Sequence, residues 1–79
     1  MREPLPYDLV IEGTHDPAFW CAYSETLPGF TMCGASPEQI LERAPGQMCE
    51  YVTWARSHGV AMPEALPDGA PHRIQLASA

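Results

Sequence analysis

The chain contains no lysine and no asparagine, and four arginines are its only strongly basic side chains. Set against ten acids, they leave a formal net charge of −6. A phosphate backbone is bound largely through Lys and Arg that displace counterions, and no basic patch exists here to do so. Direct nucleic-acid binding by this chain is therefore disfavoured. An acidic surface suits solubility or a basic protein partner. Long hydrophobic runs are missing too: nothing reaches the ~18–20 apolar residues of a membrane span, and the N-terminal MREPLPYD has no signal-peptide core. The expected compartment is the cytoplasm. Metal-binding cysteine patterns are missing as well: Cys21, Cys33 and Cys49 are odd in number, unclustered, and without CxxC or other metal spacing. Gly-rich phosphate loops, nucleophile elbows and internal repeats are also absent.

What is present is one small domain, residues 1–79, with 46% hydrophobic residues, an ordinary globular share. Its clearest feature is Ser36 to Gly59. On a wheel of ~100° per residue, Ile40, Leu41, Ala44, Met48, Tyr51, Val52 and Ala55 form one stripe, the width expected of a helix laid on a sheet. Glu42, Arg43, Gly46, Glu50, Thr53 and Arg56 take the opposite face. Ser36 suits an N-cap, Pro37 suits N1, and Gln39 at N3 can complete a capping box. His58-Gly59 supplies the stop. Pro45 interrupts the helical ladder, at ~3 kcal/mol in a helix interior. Because Met48, Tyr51 and Val52 keep the phase set by Ile40 and Leu41, one kinked helix is expected rather than two.

The remainder reads as strands and turns. Met1 to Pro6 is a loose lead-in, broken by Pro4 and Pro6. Tyr7 to Glu12 alternates, with Tyr7, Leu9 and Ile11 on one side, as a half-buried strand does. Gly13 to Ala18 is a turn cluster, and Phe19 to Ser24 is an aromatic strand that pairs with the first as a hairpin. Phe19, Cys21 and Tyr23 share one of its faces; Trp20 and Ala22 share the other, with Trp20 expected away from the helix. Glu25 to Gly29 is a turn set by Pro28-Gly29, and Phe30 to Cys33 is a short strand closed by Gly34. Val60 to Pro71 is a Pro- and Gly-rich loop, and His72 to Leu76 is a last strand with Ile74 and Leu76 inward.

The order YDLVIE, aromatic strand, LPGF, GASPEQIL resembles the HicB-like antitoxin family. The matching residues are Tyr7, Ile11, Glu12, Ala22, Leu27, Pro28, Gly29, Gly34, Ser36, Glu38, Leu41 and Ala44, followed by Gly59-Val60-Ala61-Met62-Pro63 after the helix. The likeness spans most of residues 7–64. It departs at Ala18-Phe19, where many members carry a glycine pair, at Glu25-Thr26, at Ala35 and at Pro45. The resemblance implies an α+β fold of β-β-β-α-β order, a small antiparallel sheet with the helix on one face. It also implies the role of an antitoxin that binds and neutralises a small, basic, RNA-cleaving toxin. Full-length antitoxins of this type append a DNA-binding domain after the Pro-rich loop. With the chain ending at Ala79, operator binding is not expected.

Candidate chemistry is scattered. His15-Asp16 sits in a turn cluster, His58 belongs to a helix end, and Glu38 and Glu42 read as a solvated helix face. Cys21 and Cys33 can face each other across adjacent strands but read as small buried hydrophobes, while Cys49 lies off the stripe as an exposed thiol. No catalytic residue, cofactor or metal site is expected. Aromatic anchors are the better lead, and the candidate partner-binding residues are Trp20, Tyr23, Trp54, Glu42 and Glu50. The sequence reading is a non-catalytic interaction module that self-associates as a dimer through sheet surface or edge strands and takes a small basic toxin-like partner. The alternative is a small enzyme or metal-binding protein using His15, Asp16 and nearby acids.

Overall fold

A computed structural model describes residues 4–15 and 18–76. Strand β1 (Leu9–His15), β2 (Ala18–Tyr23) and β3 (Thr31–Gly34) are followed by helix α1 (Pro37–Ser57) and β4 (His72–Leu76). The sheet order is β3-β2-β1-β4. β1–β2 and β2–β3 are antiparallel, whereas β4 pairs parallel with β1, so the sheet is mixed rather than wholly antiparallel. The parallel pairing follows from the crossover: the chain leaves the hairpins, runs along the helix, and returns beside β1.

The helix forms as its signals require. Ser36 accepts from the Gln39 N–H at 3.2 Å, with Pro37 in the first turn. The Gln39 side chain reaches one residue further back than a capping box would, accepting from the Ala35 N–H at 2.8 Å. At the other end the Gly59 N–H donates to Arg56 O and the Val60 N–H to Ala55 O, a Schellman closure. The helix runs unbroken through Pro45. Ile40, Leu41, Ala44, Met48 and Ala55 are buried and Tyr51 and Val52 half-buried, the stripe expected from the wheel.

That stripe packs chiefly on β3 and β2. Leu9, Ile11, Ala22 and Met32 rise from the sheet to meet it, joined by Leu27 and Phe30 from the β2–β3 connection. Leu27 O accepts from the Phe30 N–H at 3.1 Å and Gly29 has φ 77°, a conformation in which Pro-Gly outperforms other pairs. Leu5 and Tyr7 complete the core, so the described part of the lead-in is not loose. Pro4 and Pro6 remove donors but not acceptors: Leu5 O takes the Ala70 N–H at 2.7 Å and Pro6 O the Leu66 N–H at 3.0 Å.

Three other expectations change. Gly13 is inside β1, not in a turn, because the Trp20 ring lies over it; a Cβ at Gly13 would come within 2.4 Å of that ring. Trp20 therefore belongs to the helix side of the sheet, half-buried against the core, and not to the far face. Ile74 and Leu76, expected inward, are 47% and 51% exposed, because the helix lies over β2 and β3 and leaves β4 uncovered.

A polar knot anchors the β2–β3 connection to the foot of β1. The Asp8 carboxylate accepts from the Thr26 hydroxyl, from the Glu25 N–H at 3.0 Å and from the buried Ser24 hydroxyl at 3.3 Å. Ser24 Oγ in turn accepts from the N–H groups of Thr26 and Leu27, both at 3.2 Å. Burial pushes the Asp8 carboxyl up, but the bonds from Thr26, Glu25 and Ser24 outweigh it and hold the group below its ordinary value. A carboxyl lowered in the folded state stabilises it above the unfolded value and loses that contribution on acidification.

Two outcomes are expected. Gly13→Ala lowers stability by about 2 kcal/mol, the usual scale of overpacking, with a shifted Trp emission, measured by urea unfolding followed by fluorescence. Asp8→Ala lowers stability by about 1–2 kcal/mol at pH 7, and the gap from wild type closes as pH falls below about 4.

Candidate interaction surface

Helix α1 carries a line of rings from the core to solvent. Buried Phe30 meets Tyr51 edge-on, with centroids 5.8 Å apart and planes at 87°. Tyr51 meets Trp54 at 6.0 Å, and Trp54 stacks on His58 at 4.6 Å and 29°. The spacing of three and four residues along the helix sets this order. Both ends are fixed by hydrogen bonds: the Tyr51 hydroxyl donates to Pro28 O, and His58 Nδ1 lies 2.8 Å from Trp54 O. A carbonyl only accepts, so Nδ1 carries the proton there. His58 is thus the C-cap whose ring bonds a last-turn carbonyl, as its place at the helix end implies. Trp54 is 52% exposed, yet its ring is held from both sides. Rigid exposed aromatics of this kind anchor interfaces because little side-chain entropy remains to be lost.

Glu50 lies one helical turn before Trp54, and Glu42 two turns before Glu50, all exposed on the helix. The structure therefore groups Glu42, Glu50 and Trp54 on one element. It does not bring Trp20 or Tyr23 to them. Trp20 packs under the helix, and Tyr23 stands on the opposite face of β2.

That opposite face has no covering layer among the described elements. Strand alternation places Val10, Glu12, Phe19, Cys21, Tyr23, Thr31, Cys33 and Arg73 on it. Val10 is buried between Tyr23 and Arg73 in the register, and Phe19 is 50% exposed. Cys33 is exposed and Cys21 half-buried, so neither is the buried hydrophobe expected of it; Cys49 is exposed. The motif residues Leu27, Pro28, Gly29, Gly34 and Ser36 are structural: Leu27 is wholly buried, Pro28-Gly29 turns the chain, Gly34 ends β3 and Ser36 caps α1.

For chemistry the arrangement offers little convergence. An open cleft of about 570 Å³ gathers Asp8, Glu25 and Glu64 beside Tyr7 and Thr26, but the Asp8 oxygens are taken up by the polar knot. No group of three His, Cys, Asp or Glu among the described residues is placed to hold a metal. Asp16 and the side chain of His15 lie outside the described residues. No described helix is long and apolar enough to cross a membrane.

No family model matches the chain, and no curated protein or solved structure shows significant similarity to it. The surface must be read on its own chemistry. Sequence reasoning selected Trp54 but not its clamp; the signal was the spacing of Tyr51, Trp54 and His58, which repeats every three to four residues.

Along this line the energetic weight falls from core to surface. Phe30→Ala is expected to cost about 3–5 kcal/mol of stability, and Trp54→Ala less than about 1 kcal/mol, both read from urea midpoints.

Proposed function

We propose that this chain is a cytoplasmic, non-catalytic protein-interaction module of the HicB antitoxin type. It self-associates as a dimer through the uncovered sheet face, and it binds and neutralises a small basic RNA-cleaving toxin through the outer face of α1. The observation that carries the reading is Trp54, half exposed but locked between Tyr51 and His58, on the same helix as Glu42 and Glu50. An aromatic anchor with Glu50 one turn away and Glu42 further along the same helix is complementary to a basic protein: the charges steer encounter and the ring supplies the desolvated contact. The net charge of −6 extends that complementarity over the whole chain. The β-β-β-α-β order agrees with the fold that the LPGF and GASPEQIL motifs imply. Phe19 and Tyr23, on a face no described element covers, support the dimer.

Light scattering tests both halves. Alone, the protein should run at twice its 8.7 kDa chain mass, and Phe19→Asp should return it to a monomer. Mixed with a small basic protein encoded beside it, it should form a stoichiometric complex that Trp54→Ala weakens by about 2 kcal/mol, roughly thirtyfold. A wild-type monomer at high concentration would remove the dimer. A mass indifferent to the basic protein would remove the antitoxin role.

A further inference from the structure

The two thiols on the uncovered sheet face are paired by the register. β2 and β3 run antiparallel with Cys21 directly opposite Cys33, and the sulfurs are 2.7 Å apart. A disulfide bond measures about 2.05 Å, so about 0.65 Å separates the pair from bonding distance. Nothing in the core requires sulfur at either position, since Cys33 is exposed and Cys21 only half-buried. Their frame is also held in place. The Met32 side chain next to Cys33 is buried in the core, Ala22 next to Cys21 is buried, and the Arg43 guanidinium donates to Cys33 O at 3.4 Å. Two opposed, solvent-reachable sulfurs on a fixed hairpin are arranged to react with each other.

We propose that Cys21 and Cys33 form a reversible thiol–disulfide site whose co-substrate is a low-molecular-weight disulfide of the glutathione class. Cys33, the exposed member, loses its proton to water, and its thiolate attacks one sulfur of the small disulfide. That S–S bond breaks, one small thiolate leaves, and a mixed disulfide remains on Cys33. Cys21 then gives up its proton and attacks Cys33 Sγ, expelling the second small thiolate and closing the cross-strand bond. The protein loses two electrons and two protons, and the small disulfide gains them as two thiols. A dithiol reductant runs the sequence backwards.

The two sulfurs differ in access: Cys33 is exposed and Cys21 half-buried, so the small disulfide meets Cys33 first. The hydrogen bond with Cys33, and then burial, push the Cys21 thiol above its ordinary value. The third thiol, Cys49, sits exposed on α1 with no described sulfur hydrogen-bonded to it, and is replaced in the test so that it cannot compete for the small disulfide. Closure would join the edge strand β3 covalently to β2 in the free chain, before the proposed dimer covers this face; the thiol chemistry itself does not depend on that reading.

The experiment uses the Cys49→Ser full-length chain, reduced and then equilibrated with defined ratios of reduced to oxidised glutathione, acid-quenched, and weighed intact before and after peptide mapping. The expected product has lost two hydrogens, carries no glutathione, and yields a peptide linking Cys21 to Cys33. Its thermal midpoint should rise by roughly 5–15 °C over the reduced form, the scale for a crosslink closing a short loop. Cys21→Ser in the same background should instead accumulate a glutathione adduct on Cys33. Glutathione adducts on both cysteines of the intact pair, or two free thiols in a large excess of oxidised glutathione, would overturn the proposal. A disulfide joining two chains instead of one would overturn it as well. Because the main readout is made with both cysteines present, a folding failure in Cys21→Ser leaves the test intact.

Discussion

A single helix is narrower than the sheet it covers. With side chains a helix is about 10–12 Å across, while four strands spaced about 4.8 Å apart present close to twice that width. α1 settles over β2 and β3, and Ala22 and Met32 of those strands share one core with Ile40 and Met48 of the helix. The part of β1 beyond its reach is filled from elsewhere, by Leu5 and Tyr7 of the lead-in and by Met62 and Ala70 of the loop before β4. The Tyr7 hydroxyl donates to Pro63 O at 2.5 Å and ties these two irregular segments together. What neither helix nor loops cover on the helix side stays exposed at the β4 edge, Ile74 and Leu76, while the far face has no described layer over it although Val10 on it is buried. That shortfall opens the β4 edge, while the far sheet face is open because the described helix lies on the other side of the sheet.

How much of this was legible in the sequence depends on the range of the signal. Helix α1 was readable because its cap, its stripe and its stop are all local, and the stripe kept its phase across Pro45. Pro28-Gly29 was readable for the same reason, since a turn is decided by four residues. The bounds of β4 were also clear. Its parallel partner and its exposure were not, because both depend on where a helix some twenty residues earlier comes to rest. Gly13 misled by the rule that glycine punctuates. In this fold its bare Cα makes room for an indole from the neighbouring strand, an arrangement set by the pairing of Gly13 with Trp20. The same pairing decided which face Trp20 takes. The Asp8 knot was hidden because its partners, Ser24 to Thr26, lie sixteen or more residues away.

The candidate surface was partly readable. Trp54, Glu42 and Glu50 were chosen from the sequence, and they share a helix; Trp20 and Tyr23 were chosen with them, and the sheet separates them. Cys21 and Cys33 stand symmetrically about Leu27, so a hairpin register centred there brings them together. Function is carried by such juxtapositions more than by topology, since one small α+β layout can serve many roles. The antitoxin reading accordingly rests on an immobilised indole with acids near it.

The pairing of Leu9 with His72 spans 63 residues, and β1 finds its second neighbour only when that late segment is made. At roughly 10 residues per second, about six seconds of synthesis separate Leu9 from His72, and only about the last 1.5 seconds of them follow the end of the helix. During that interval the carbonyls of Leu5 and Pro6 lack the N–H groups of Ala70 and Leu66 that later bind them. The nascent chain thus carries an open strand edge beside an apolar lead-in, the combination that invites pairing with a second chain on a neighbouring ribosome. Closing that edge is the task of the last strand, and translation speed through the Pro-rich loop governs how long it waits.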